Sequence, residues 1–445
     1  MEFRWSACPE LMEVLLVSMV WVGGCSGVDQ RRAAIEGLAS PLVENGDVVG
    51  LGVGVVFADG TREVVMLGEV ERGSGVRPTE GTLFEAGSVT KAVTAVLVVD
   101  SVERGEMELG APIGRYTPGS VGEVEWGATG RAVRVEELLR HTSGLPRMPG
   151  NIAGVMSGGQ PYAGYTDAML WEAVGDVELI SEPGEVYGYS NFGMAVAGEL
   201  VEEVSGRPYE VLVEGRVFGP LGMSDSVMGM AGVGEAGLAP PHGLGLDPIG
   251  AWEFGAAAPA GAMRSTVGDL LRFAEASMDP GAVGGTLGAA MARVVGVEGV
   301  SARGGHEVLL GWHRDPDVEG VGPVVWHNGE TAGSKAYVGF SAGRGVAVVV
   351  LANTASDLVE RLGIELLRYA ATGEVGDVGS RGGFEVPEEV LEGYAGRYLM
   401  RGVGTLEVEL EDGRLWARLN RQPRLPLWAE SERRFFYQAV AAELA

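Results

Sequence analysis

Residues 83–105 read LFEAGSVTKAVTAVLVVDSVERG, and the fold turns on how this stretch is understood. From Ser88 onward it is apolar for about 16 residues without a turn, which exceeds a typical strand. Despite its many valines it therefore reads as a buried helix. Ser88 stands where a cap is expected, and Arg104-Gly105 supplies the stop.

Upstream, DVVGLGVGVVFADG (47–60) and TREVVMLGEV (61–70) read as two apolar strands joined at Asp59-Gly60. Far downstream, AYVGF (336–340) and GVAVVVLAN (345–353) form a second apolar hairpin, followed by a helix in DLVERLGIELLRYA (357–370). Strands at both ends with helices between them predict one antiparallel sheet assembled from distant pieces. From about residue 110 to 320 the pattern is loops and short helices. VRVEELLRHTSGLP (133–146) is expected to stop at Gly144 and Pro146, FGMAVAGELVEEVSG (192–206) stops at Gly206, and GAMRSTVGDLLRFAEASM (261–278) starts near Ser265 or Thr266. The expectation is an α/β domain over residues 34–370 with a helical second lobe. ATGEVGDVGSRGG (371–383) lacks an apolar face and reads as a linker. GYAGRYLM, TLEVEL, EDGRLWARL and RRFFYQ within 384–445 read as the strands of a small β-domain.

The chain has 445 residues, 46% of them hydrophobic, so it can bury real cores. Its formal net charge of −28 repels phosphate backbones, no Lys/Arg run relieves this, and nucleic acid is not an expected partner. The apolar run from Val14 to Gly24 has the length of a secretion-signal core and is too short to span a bilayer. It ends in VGGC, which resembles a bacterial lipoprotein cleavage box. Residues 1–25 thus read as a leader for a periplasmic or membrane-anchored protein lipidated on Cys25, with a cytoplasmic location as the alternative. Removal of such a leader would leave the body without a disulfide, since both cysteines, Cys8 and Cys25, lie within those residues.

Of 33 basic residues only two are lysines, Lys91 and Lys335. One of them follows a serine by three positions, which places Ser88 and Lys91 on one face of the expected helix. A buried amine can be driven to neutrality and act as a base, whereas arginine cannot give up its proton. YGYSNFG (187–193) adds Tyr189, whose phenol can share a proton with a lysine, and Asn191, whose amide can hold the lysine and a substrate carbonyl. In WHNGETAG (326–333), Gly329 leaves room for substrate backbone beside His327. The remaining histidines, His141, His242, His306 and His313, lack metal-ligand spacing, so no metal and no cofactor are expected. Gly339-Phe340-Ser341-Ala342-Gly343 matches the GxSxG pattern, but it sits in a hairpin rather than at a strand-to-helix elbow.

These motifs together resemble the serine β-lactamase and penicillin-binding-protein superfamily, closest to its class C-like branch. The resemblance rests on LFEAGSVTKAVTAVLV, LLRHTSGLP, YSNFGMAVAGELVEEVSGRPYE, VFGPLGM and HNGETAG, in the family's order over roughly residues 45–370. It implies Ser88 as acylated nucleophile, Lys91 as its partner, Tyr189 as base and acid, and Asn191 as the asparagine of the same motif. His327 and Gly329 fall on the third motif, where many members carry lysine, threonine and glycine. The resemblance also implies an oxyanion hole from the backbone N–H groups of Ser88 and Glu330, and it leaves His141 a packing role. The implied activity is acyl-enzyme hydrolysis of an ester, an amide or a D-amino-acid peptide. The alternatives are a β-lactamase proper or a non-catalytic penicillin-binding-like sensor. The histidine at the third motif weakens a carboxylate anchor and lowers the antibiotic reading. The small C-terminal domain resembles the lipocalin-like or barrel-like modules appended to such hydrolases.

Overall fold

The computed structural model describes residues 27–444 except 120, 122–129, 234–236, 244, 303, 380–385, 401–403, 412, 423 and 437–442. The leader-like segment lies outside the described residues. Among the described residues no helix is long and apolar enough to cross a membrane.

An eight-stranded antiparallel sheet is built from β1 (Gly50–Val56), β2 (Arg62–Gly68), β3 (Val300–Ser301), β4 (Glu307–Val308), β5 (His313–Val318), β6 (Gly322–Glu330), β7 (Lys335–Ser341) and β8 (Val346–Ala352). The spatial order is β2-β1-β8-β7-β6-β5-β4-β3, so the two terminal hairpins meet where β1 pairs with β8. The helices that matter for the site are α1 (Gly27–Glu44), α2 (Thr90–Glu103), α3 (Val135–Leu139), α4 (Asp167–Gly175), α5 (Asn191–Ser205), α6 (Val267–Met278), α7 (Gly285–Gly296) and α8 (Leu358–Thr372).

The sequence of β1, GLGVGVV, explains how the sheet is covered. Leu51, Val53 and Val55 point to one face and pack with Ile35 and Leu38 of α1 and Leu362 and Leu366 of α8. Gly52 and Gly54 point to the other, where an added Cβ would lie 2.7 and 2.6 Å from Val267 side-chain carbons. The missing side chains thus let α6 rest on the strand backbone; a methyl group at either position would cost about 1–3 kcal/mol of overpacking. Beyond α6, α2 forms the centre of the helical lobe, packed against α5 and α7. Twelve of its fourteen residues, Lys91 included, are buried.

Three local expectations are corrected. Ser88 does not cap the helix: it lies in a 3-10 turn, Gly87–Val89, and α2 begins at Thr90 without a side-chain cap. The helix in 133–146 is only α3, because His141 adopts a left-handed φ of 56° and turns the chain before Gly144. The stretch 300–318 holds three further strands rather than only loops; its charged and glycine-rich sequence hides their alternation, since they form the exposed end of the sheet.

After α8 ends at Gly373 in a left-handed cap, the C-terminal segment forms two small antiparallel sheets, one of four strands and one of three. This part leans on the larger domain as its size demands. Trp416 is buried, with the guanidinium groups of Arg72 and Arg424 4.7 and 4.6 Å from its ring centroid, and the Trp428 indole donates to the Asn45 carbonyl (2.9 Å).

Candidate active site

The turn before α2 presents the Ser88 hydroxyl, half-buried, to two partners. Lys91 Nζ lies 2.9 Å from Ser88 Oγ, and the Tyr189 hydroxyl donates to the same oxygen at 2.7 Å. Lys91 Nζ also donates to the Ala260 carbonyl at 2.5 Å. Burial, and after it the positive charge of Arg147, pushes the Lys91 ammonium well below the usual lysine range. A neutral amine then completes a directional chain. The Tyr189 phenol donates to Ser88 Oγ, the serine hydroxyl donates to the lone pair of Lys91, and a lysine N–H donates to Ala260. Burial raises the Tyr189 pKa, with the Ser88 hydrogen bond and Arg147 opposing, so the phenol keeps its proton near neutrality. In this arrangement Lys91 is the group able to accept a proton and Tyr189 the group able to give one.

The segment carrying Tyr189 is fixed from behind. The His141 ring lies against that of Tyr189 (4.6 Å between centroids), and His141 Nδ1 accepts the Ser190 backbone N–H (3.2 Å). Ser190 caps α5 by accepting the Gly193 N–H, and its hydroxyl donates to the Pro146 carbonyl. Asn191 departs from expectation. Its amide donates to the Tyr162 hydroxyl (2.7 Å) rather than holding Lys91, and its Oδ1 is buried and unpartnered among the described residues.

On the opposite side, β6 crosses the nucleophile's turn backbone to backbone. A Cβ on Gly329 would sit 1.9 Å from the Ala86 carbonyl oxygen, and one on Gly87, whose φ is +49°, 2.7 Å from the Glu330 nitrogen. Only glycine at both positions allows the main chains of Glu330 and Ser88 to come together. The crossing is tied by Glu85, whose carboxylate accepts from Thr331 Oγ1 (2.7 Å) and the Trp252 backbone N–H (2.8 Å) and faces Arg264 at 3.5 Å. Burial raises the Glu85 pKa, against the pull of Thr331 and Arg264.

His327 is buried, and its Nδ1 faces the Asn328 carbonyl at 2.5 Å. A carbonyl only accepts, so Nδ1 carries the proton. Burial pushes the His327 pKa well below the usual histidine range, which favours the neutral ring. In the neutral ring the other nitrogen is an acceptor. Glu330 turns its carboxylate to Lys335 (2.7 Å). Ser341 lies at the far end of β7, six residues beyond Lys335, buried and with its hydroxyl unpartnered among the described residues. At about 3.3 Å per residue, that is roughly 20 Å from the crossing.

Sequence reasoning missed Ala260, Tyr162, Glu85, Arg264 and Arg147. Of these only Glu85, an acid inside an apolar run, left a visible signal.

Comparison with known proteins gives the family. A family model described as Beta-lactamase matches residues 29–371, and one described as a domain of unknown function (DUF3471) matches residues 381–443. The chain is 30% identical over 318 residues to Penicillin-binding protein 4 of Amycolatopsis lactamdurans, covering 67% of this chain and 79% of that protein. It is 28% identical over 232 residues to the D-alanyl-D-alanine-carboxypeptidase/endopeptidase AmpH of Escherichia coli K12, covering 50% of this chain and 56% of AmpH. Among solved structures, D-alanine carboxypeptidase AmpC from Burkholderia cenocepacia superposes with a TM-score of 0.65 at 25% identity, covering 78% of this chain and 99% of its own. A class C beta-lactamase shares the fold with a TM-score of 0.68 at 20% identity, covering 79% and 99%.

Proposed function

The chain belongs to the beta-lactamase family of serine hydrolases, and from that premise we propose that Ser88 is its acylated nucleophile, Lys91 the base and Tyr189 the acid for the leaving group. The observation that carries this reading is the position of Ser88 Oγ between Lys91 Nζ and the Tyr189 hydroxyl. Neutral Lys91 takes the serine proton as Ser88 Oγ bonds to the substrate carbonyl carbon. The developing oxyanion is met by the Ser88 and Glu330 backbone N–H groups; one such donor is worth about 3–4 kcal/mol in the transition state. Collapse expels the leaving group, which takes the Tyr189 proton, and the ammonium of Lys91 returns its proton to Tyr189. Water then gives a proton to Lys91 through Tyr189 and adds to the ester carbon, and Ser88 leaves with a proton restored.

We propose an ester or amide substrate rather than a β-lactam, because the lone pair of neutral His327 gives little hold on the ring carboxylate of such a drug. The preference is tested with p-nitrophenyl esters, D-alanyl peptides and nitrocefin in parallel. The expected result is ester or peptide turnover that vanishes in Ser88→Ala, with nitrocefin the poorest of the three. Turnover confined to nitrocefin would overturn the preference.

A further inference from the structure

The two sides of the cleft differ in charge. On the β6 side, Lys335 is shared by Glu330 at 2.7 Å and Asp357 at 2.8 Å, both largely exposed, so two carboxylates surround one ammonium. Burial of His327 disfavours a positive charge on its ring. A substrate carboxylate finds repulsion there.

On the Tyr189 side the opposite holds. Arg147 is exposed, and its guanidinium lies over the Tyr189 ring, 5.1 Å from the centroid. Among the described residues no carboxylate pairs with it. Its position is not that of a loose surface arginine, because its carbonyl accepts the backbone N–H groups of Asn191 (3.0 Å) and Phe192 (3.2 Å). The main chain of Arg147 is thereby fastened to the segment that carries Tyr189 and Asn191. A guanidinium over a ring face keeps its in-plane N–H donors free, in the fork that matches a carboxylate. Lys91, whose Nζ lies 4.9 Å from the centroid of the same Tyr189 ring, has its charge disfavoured by burial and is occupied by Ser88 and Ala260.

We propose that Arg147 is a specificity-determining residue that binds a carboxylate carried by the substrate, so that the preferred substrates are anionic acyl compounds anchored on the Tyr189 side of Ser88. The proposal rests on the reading of Ser88 as nucleophile and deepens it. Whether the carboxylate belongs to the acyl group or to the leaving group is resolved by the probes.

The experiment compares three esters: p-nitrophenyl butyrate, mono-p-nitrophenyl succinate with a carboxylate on the acyl side, and 3-carboxy-4-nitrophenyl butyrate with one on the leaving group. The readout is the ratio of kcat/KM for each carboxylated ester to that for the neutral one. Arg147→Gln is expected to lower at least one ratio by about 10–100-fold, and Arg147→Lys, which keeps the charge, to retain part of it. In the wild-type enzyme the same ratio is expected to shrink as ionic strength rises, a readout that needs no variant. Ratios unchanged in Arg147→Gln and indifferent to salt would overturn the assignment. A failure of the nucleophile reading would be separately visible, as ester turnover that survives Ser88→Ala.

Discussion

Replacing Lys91 with arginine is expected to lower kcat on p-nitrophenyl esters by about 10⁴-fold, the upper end of what a positioned base contributes. The substitution keeps the positive charge and removes the ability to lose it. Lys91 is fully buried, with the Ser88 hydroxyl and the Ala260 carbonyl as its hydrogen-bond partners, and the neutral amine is the form that such a site favours. Arginine stays charged, cannot accept the Ser88 proton, and holds the hydroxyl as a mere hydrogen-bond partner. Steady-state kinetics, with circular dichroism to verify the fold, measures the effect. Near-normal turnover would remove the base role.

The same lysine makes two pH effects predictable in sign. As pH falls through its depressed folded-state pKa the amine becomes protonated and activity declines, so the acid limb of kcat/KM lies well below the usual lysine range. For stability, the folded state binds fewer protons than the unfolded chain between the two lysine pKa values. The contribution of Lys91 to stability therefore rises with pH across that window and is lost on acidification.

Replacing Tyr189 with phenylalanine is expected to lower kcat/KM, which reports acylation alone, by about 10²–10³-fold on an anilide and by clearly less on a p-nitrophenyl ester. Phenylalanine keeps the ring that His141 and Arg147 hold, so the geometry of the segment survives. What is lost is the hydroxyl that donates to Ser88 Oγ. An anilide needs a proton on its leaving nitrogen, whereas p-nitrophenolate departs without one. The gap between the two substrates thus reports the acid role itself. Equal losses on both would contradict it and point to a structural contribution.

Much of the framework is legible in the order of amino acids alone. The terminal hairpins announce themselves as apolar runs at strand length, and the scarcity of lysine singles out Lys91. What escapes is whatever depends on contacts between distant segments. The alternating glycines of β1 read as part of an apolar strand, and only the packed α6 shows that their missing side chains shape the interface. Ser88 reads as a cap because serine favours that position; in the folded chain a 3-10 turn relieves it of that duty and frees its hydroxyl. Asn191 sits in the right motif but is turned to Tyr162, a residue 29 positions away. The bond from His327 Nδ1 to the Asn328 carbonyl is likewise invisible in the order of residues. Arg147 carries no signal at all among 31 arginines, since its significance lies in the ring it covers.

The central claim, that Ser88 is the residue acylated, is tested most directly by labelling the enzyme with a fluorophosphonate and locating the adduct by peptide mass spectrometry. The expected result is a single adduct on the peptide containing Ser88, absent from Ser88→Ala. An adduct on Ser341, in the hairpin that mimics a nucleophile motif, would contradict the account.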